Sequence, residues 1–94
     1  MSLYDDDAFE PDWVVAPGET LQEWIDEHRW SLQKTALACH MSVGEVEAIL
    51  DGDRRITSLV ADKLYDATGI PARLWLGLER NFRRGLAQGK AWVH

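Results

Sequence analysis

From Pro17 onward, apolar residues recur every three or four positions in short blocks that Gly, Pro or helix-cap residues separate. This period is typical of amphipathic helices that bury one face in a core. The sequence shows no strand of useful length. The pattern therefore predicts an all-α fold of five short helices.

Start and stop signals set the bounds of these helices. Pro suits a first helical turn, Ser and Thr hydroxyls accept hydrogen bonds from first-turn amides, and Gly adopts the left-handed conformation that ends many helices. The predicted helices span Pro17–Arg29, Leu32–Cys39, Val43–Leu50 and Ser58–Thr68, and a fifth opens at Pro71 and fades between Gly85 and Gly89. The predicted caps are Ser31, Ser42 and Thr57, and the predicted stops are Gly52 and Gly69.

The apolar stripe of each predicted helix should face the core. The expected inward residues are Leu21, Trp24, Ile25 and His28, then Leu32, Thr35, Ala36 and Cys39, then Val46, Ile49 and Leu50, and finally Leu74, Trp75, Leu78 and Phe82. Trp30 also fits the edge of this core. Trp13 and Trp92 lie outside the helical frame, and a large exposed aromatic side chain suggests a partner or dimer surface.

Only His40, Met41 and Ser42 separate the second and third predicted helices. A link this short makes the two helices cross steeply, which is the geometry of a helix-turn-helix motif. Ala36 is small where the helices approach, and Val46 points inward. Position 40 departs from the usual pattern, because Gly is commonest where this turn needs a positive φ. His tolerates that region better than most residues.

Charge is unevenly distributed along the chain. The first dozen residues contain five acidic side chains and no basic one: Asp5, Asp6, Asp7, Glu10 and Asp12. They show no helical or strand period, which is typical of a disordered segment. The rest of the chain carries 11 acidic and 10 basic side chains, a net charge of -1. We therefore expect an acidic flexible arm at residues 1–12 and one helix-turn-helix domain at residues 13–94.

Composition also limits the function classes. A net charge of -6 over 94 residues argues against coating nucleic acid through charge alone. The lone Cys39 forms no intramolecular disulfide and fits the reducing cytoplasm. The apolar runs are too short for a membrane span, so no membrane association is expected. No CxxC, HExxH or Gly-rich phosphate loop occurs, and we expect no enzyme activity, metal or cofactor.

Three motifs, in order, resemble the HigA-type antitoxins of the lambda-repressor-like (Xre) helix-turn-helix class. Residues 15–21 (VAPGETL) resemble the entry to their first helix, and residues 50–57 (LDGDRRIT) resemble the loop after their third. Residues 69–79 (GIPARLWLGLE) resemble the entry to their last helix. The resemblance implies a homodimer, joined through its last helix, that binds a double-stranded DNA operator, represses its own promoter and neutralises a protein toxin.

The second helix of such a motif lies in the major groove of DNA. The side chains expected to face DNA are Ser42, Val43, Gly44, Glu47, Ala48 and Asp51, with Glu45 nearby. Carboxylates are unusual here, because phosphates repel them unless one accepts a cytosine amino hydrogen. The predicted phosphate contacts are Ser31, Gln33 and Lys34 at the start of the second helix, and Arg54 and Arg55 in the loop after the third.

Alternatives remain open at this point. The chain is also consistent with a helix-turn-helix scaffold that binds protein without reading DNA, or with a regulator of a phage or mobile element. Arg54 and Arg55 have an alternative role as solvated loop charges that pair with Asp51 or Asp53. The residues predicted for a partner or dimer surface are Trp13, Arg80, Arg83, Arg84 and Trp92, although a solvated helix face also explains the three arginines.

Overall fold

The computed structural model describes residues 13–92, which form five helices between two short strands. The elements are β1 (Trp13–Val14), α1 (Pro17–His28), α2 (Leu32–Cys39), α3 (Val43–Leu50), α4 (Ser58–Thr68), α5 (Ala72–Ala87) and β2 (Ala91–Trp92). The predicted all-α, helix-turn-helix fold is confirmed. The acidic arm predicted at residues 1–12 lies outside the described residues.

The helix ends follow the predicted signals closely. The bounds of α2, α3 and α4 match the prediction, and Gly52 and Gly69 take the left-handed conformation expected of them. Helix α1 ends one residue earlier than predicted, because Arg29 adopts a φ of 54° and caps it. Helix α5 begins at Ala72, since Pro71 is its N-cap.

The two strands are a departure from the sequence pattern. Trp13 pairs with Ala91 and Val14 with Trp92, in parallel. Each strand holds only two residues, too few for an alternating pattern to be visible in the sequence. The pairing joins the two ends of the described range, and Val14 is buried there against Phe82.

The main core lies between the five helices. Its buried members are Leu21, Ile25, Ala36, Cys39, Val46, Ile49, Ile56, Val60, Ala61, Leu64 and Trp75. The indole Nε1 of Trp75 donates to the Ile70 carbonyl oxygen at 3.1 Å, so this fully buried ring leaves no polar atom unsatisfied. Trp24 and Trp30 are half-buried at the edge of the core, as predicted.

Two residues of the predicted apolar stripes do not face the core. His28 is exposed, and its ring stacks on Trp24 with the ring centroids 3.9 Å apart. Leu74 is 51% exposed. Leu74 and Trp75 are separated by about 100° around α5, so the burial of Trp75 turns Leu74 outward. Helix α5 buries Trp75 and Phe82 as predicted, together with Glu79 and Gly85.

The start of α1 packs directly on the end of α3 at Gly18. A Cβ atom at this position would lie 2.8 Å from the Cα of Leu50 and 2.9 Å from its carbonyl oxygen. Both neighbours are backbone atoms, which cannot rotate away. The absence of a side chain at Gly18 therefore allows the start of α1 to pack closely on the end of α3.

Candidate nucleic-acid interface

The link between α2 and α3 turns at His40, which adopts a φ of 57°. The positive φ predicted for this position is confirmed. The His40 amide donates to the Leu37 carbonyl oxygen at 3.2 Å, and the Met41 amide donates to that of Ala36 at 2.9 Å. These bonds close α2 and let α3 begin after three residues, which is the helix-turn-helix arrangement.

Lys63 of α4 contacts the same turn. Its Nζ donates a hydrogen bond to the His40 carbonyl oxygen at 3.3 Å. Lys63 is not among the predicted site residues, because the contact joins residues far apart in the chain. The available signal was indirect: carbonyl oxygens at the end of a helix have no partner inside the helix, and a side chain from elsewhere can donate to them.

Both helices of the motif begin at a serine cap. The Ser31 hydroxyl accepts from the Lys34 amide at 3.0 Å, and the Ser42 hydroxyl accepts from the Glu45 amide at 3.1 Å. Glu45 completes a capping box, because its Oε1 accepts from the Ser42 amide at 3.3 Å. The caps fix the first turns of α2 and α3 and leave other first-turn amides of both helices without partners inside the helix.

The loop after α3 is held against that helix. The amides of Asp53 and Arg54 donate to the Ala48 carbonyl oxygen at 2.9 and 3.2 Å. Nη2 of Arg54 lies 3.8 Å from Oε2 of Glu45, and both side chains are about 40% exposed. Arg54 therefore does form an ion pair, but with Glu45 instead of the neighbouring Asp51 or Asp53.

Two titratable groups near the motif have shifted pKa values. The hydrogen bond from the Ser42 amide lowers the pKa of Glu45, and the charges of Arg54 and Lys63 lower it further, so this carboxyl stays ionised. Burial raises the pKa of the Cys39 thiol to about 11, with Asp66 adding to the effect. This thiol is fully buried and protonated at neutral pH, so it is unsuited to act as a nucleophile.

The remaining predicted DNA contacts divide by exposure. Val43 and Ala48 are half-buried, and Val43 packs against the core. Lys34 is exposed, and its Nζ lies 4.8 Å from the ring centroid of Trp30. The exposed members of the set are Ser31, Gln33, Lys34, Ser42, Gly44, Glu47, Arg54 and Arg55. Their contact with DNA stays a prediction.

The fold and the motif are found together in solved structures of other proteins. One is an addiction module antidote protein of a HigA family from Coxiella burnetii, 30% identical over 76% of this chain and 78% of that one, with a TM-score of 0.69. This chain belongs to the HigA family. A second similar structure is that of a candidate antidote protein of a plasmid maintenance system from Nostoc punctiforme PCC 73102, 26% identical over 81% of this chain and 84% of that one, with a TM-score of 0.77. No protein-family model and no curated protein sequence matches the chain.

In this HigA-family chain, some residues predicted for a partner surface are exposed to solvent, and others contact residues of the chain itself. Trp13, Arg80 and Arg84 are exposed, and Arg84 donates to the Asn81 side chain at 2.7 Å. Nε of Arg83 lies 2.7 Å from Oε2 of Glu79. The half-buried Trp92 ring packs edge-on against Phe82, 5.2 Å between centroids, and against Gly52.

Residues 13–92 lack the features of a metal site and of a membrane-spanning helix. Within that range, no group of three or more His, Cys, Asp or Glu side chains is placed to hold a metal ion. No helix in the same range is long and apolar enough to span a membrane.

Proposed function

We propose that this HigA-family chain is a dimeric, operator-binding repressor of its own promoter and the antidote to a protein toxin, with both activities in the cytoplasm. The observation that carries the DNA-binding part is the three-residue turn from α2 into α3, which leaves the outer face of α3 exposed beside Arg54. The likeness to antidote proteins supports the antidote part.

In the proposed complex, α3 lies in the major groove and its neighbours contact phosphates. The first turn of α2, at Ser31, Gln33 and Lys34, combines free amides with the positive end of the helix dipole, and both favour a phosphate. Arg54 and Arg55 follow α3 directly and would contact a phosphate beside it. These contacts position α3 on the duplex without reading its sequence.

Sequence reading would fall to the acidic outer face of α3. Glu47 is exposed and forms no ion pair with another residue of the described range. In the major groove, a carboxylate accepts a hydrogen bond from the amino group of cytosine. Guanine and thymine present only acceptor atoms, which repel it, and adenine places its N7 acceptor beside its amino group. We therefore expect a preferred cytosine opposite Glu47.

A second copy of the chain would pack on the outward face of α5. Leu74, Gly77 and Leu78 lie at the three- and four-residue spacing of one helix face, and with Ile70 they line a groove of about 380 Å³. Gly77 has no side chain to keep a partner helix away. A dimer of this kind would present two copies of α3 to successive turns of the duplex.

The DNA-binding proposal is tested by titrating the chain against the region upstream of its own gene and against a scrambled duplex, over a range of salt. Arg54→Ala with Arg55→Ala should weaken binding to both duplexes and reduce the salt slope by about two, because two phosphate contacts are lost. The matched control is Arg54→Lys with Arg55→Lys, which keeps both positive charges at the same positions and should keep the salt slope.

The outcomes are distinct. Specific binding that depends on Arg54 and Arg55 supports the repressor. Equal, weak binding to both duplexes, unchanged in the loop variant, would favour a scaffold that binds only protein. The antidote part is tested separately, by co-expressing the chain with the product of the neighbouring gene: growth arrest by that product alone should be relieved by this chain.

A further inference from the structure

Glu45 differs from the other acidic side chains of α3 because its carboxylate has two sets of partners. Oε1 accepts from the Ser42 amide and from the Ser42 hydroxyl, both at 3.3 Å. Oε2 lies 3.8 Å from Nη2 of Arg54. The capping box therefore holds a negative charge at the end of α3 that enters the groove first, next to a predicted phosphate contact.

A second cation acts on the same carboxylate. Lys63 donates to the His40 carbonyl oxygen in the motif turn, and its charge stabilises the ionised form of Glu45 together with that of Arg54. The first turn of α3 adds the positive end of a helix dipole. Two cations, a backbone amide and a helix N-terminus are the groups with which proteins bind a DNA phosphate. In the free protein, Glu45 is the anion among them.

We propose that the Glu45 carboxylate takes the place of a DNA phosphate beside Arg54 in the free protein, so that Arg54 contacts either Glu45 or DNA. The proposal rests on the DNA-binding function proposed above and describes how that binding is limited. When DNA binds, Arg54 leaves Glu45, and a phosphate approaches a carboxylate of like charge. Glu45 therefore lowers operator affinity and keeps binding reversible.

The size of the effect follows from exposure. Ion pairs between side chains that are about 40% exposed are weak, because water and salt screen them. Loss of the pair and relief of the repulsion should together change affinity by about three- to tenfold at low salt. A change in affinity of this size is measurable at low salt and should disappear at high salt, where the charges are screened.

The test uses Glu45→Gln in the full chain. Gln preserves the capping box, because its side-chain oxygen still accepts from the cap amide, while the charge is removed. Fluorescence anisotropy with the upstream duplex should show a Kd about three- to tenfold lower and a steeper salt dependence, since Arg54 is then free to displace a counterion. In an Arg54→Ala background, Glu45→Gln should lower the Kd much less.

The matched control is Glu47→Gln, which removes the same charge from the same helix without an Arg54 contact. Its effect on Kd should be equal in both backgrounds, which is the behaviour of independent sites. If Glu45→Gln also tightens binding equally in the two backgrounds, Glu45 acts by general repulsion and the proposal is overturned. If the wild type prefers its own upstream region but Glu45→Gln binds no better, this proposal fails and the proposed function stands.

A second measurement does not depend on the folding of a variant. An NMR titration of the Glu45 carboxyl group in the wild type, free and bound to the upstream duplex, gives its pKa in each state. Separation from Arg54 and the approach of a phosphate both favour the protonated form, so the pKa should be higher in the complex. An unchanged pKa in a specific complex would contradict the exchange of partners. Absence of any specific complex would overturn the proposed function itself.

Discussion

Two glycines at α3, one packed against it and one within it, have opposite surroundings. A Cβ atom at Gly18 would collide with the backbone of Ile49 and Leu50, whereas a Cβ atom at Gly44 would meet only the Ser42 hydroxyl oxygen, at 3.9 Å. Gly18 is therefore required by the packing of α1 on α3. Gly44 is not required by any contact within the described residues, and the space around it on the outer face of α3 is open.

These surroundings predict opposite effects on stability. Gly18→Ala should lower the free energy of unfolding by about 1 to 3 kcal/mol, because an added methyl group forces the backbones of α1 and α3 apart. Gly44→Ala should raise it by up to about 1 kcal/mol, since Ala is the better helix former and has open space there. Urea denaturation followed by circular dichroism measures both. Equal effects of the two substitutions would contradict the close approach at Gly18.

Single residues also show what the sequence can and cannot predict. The left-handed His40 and the serine caps were predictable, because each depends on residues within four positions of it in the chain. The bond from Lys63 to His40 was not predictable, because it needs the packing of α4 on the turn. An ion pair of Arg54 was among the alternatives expected, but with Asp51 or Asp53. Its partner is Glu45, which lies at the opposite end of α3 from these two aspartates.

Among the helices, α5 carries a charge on its buried face. Glu79 is 8% exposed, its Oε2 lies 2.7 Å from Nε of Arg83, and its Oε1 has no hydrogen-bond partner. A buried carboxylate is costly unless it is paired, so the stability of α5 depends on Arg83. The predicted apolar stripe of α5 was partly wrong for the same reason. Leu74 is more apolar than Glu79, but the side of α5 that faces the core includes Glu79 and excludes Leu74.

We expect Arg83→Met to destabilise the fold by about 1 to 3 kcal/mol, because it leaves a buried carboxylate without its partner. Arg80→Met, one turn away and exposed, should change stability by less than about 0.5 kcal/mol. Thermal unfolding of the two variants makes the comparison. Adding Glu79→Leu to Arg83→Met should recover most of the loss, since an apolar pair can replace a buried ion pair. Failure of that rescue would show that Arg83 acts through other contacts.

Element boundaries were predictable where the signals are local. Ser31, Ser42, Thr57 and Gly69 stand at the helix ends that they predict. The pairing of β1 with β2 was not predictable, because it joins two-residue segments from opposite ends of the described range. The same pairing gives Trp92 an intramolecular place against Phe82 that its position outside the helical frame did not suggest.

At the scale of the whole molecule, the proposed function depends on two copies acting together. One α3 reads only a few base pairs, and helix-turn-helix proteins reach useful specificity by placing two such helices on half-sites about one helical turn apart. The outward stripe of α5 is suited to this contact, because Leu74 is half exposed and Gly77 lies beside it without a side chain. The homodimer and its operator stay predictions.

We predict that Leu74→Glu converts the protein from a dimer to a monomer, because two copies of the added carboxylate would be desolvated without partners in the interface. Leu59→Glu is the matched control, since Leu59 is 63% exposed and lies on α4, away from the groove on α5. Sedimentation equilibrium at micromolar concentration should give half the wild-type mass for Leu74→Glu and the full dimer mass for the control. On a duplex with two half-sites, the Leu74 variant should lose most of its affinity, while on a single half-site it should equal the wild type. A monomeric wild type would contradict the proposed dimer itself. A Leu74→Glu variant that stays dimeric, or equal loss in both variants, would place the second copy on another face of the molecule, and the operator would then need a different half-site spacing.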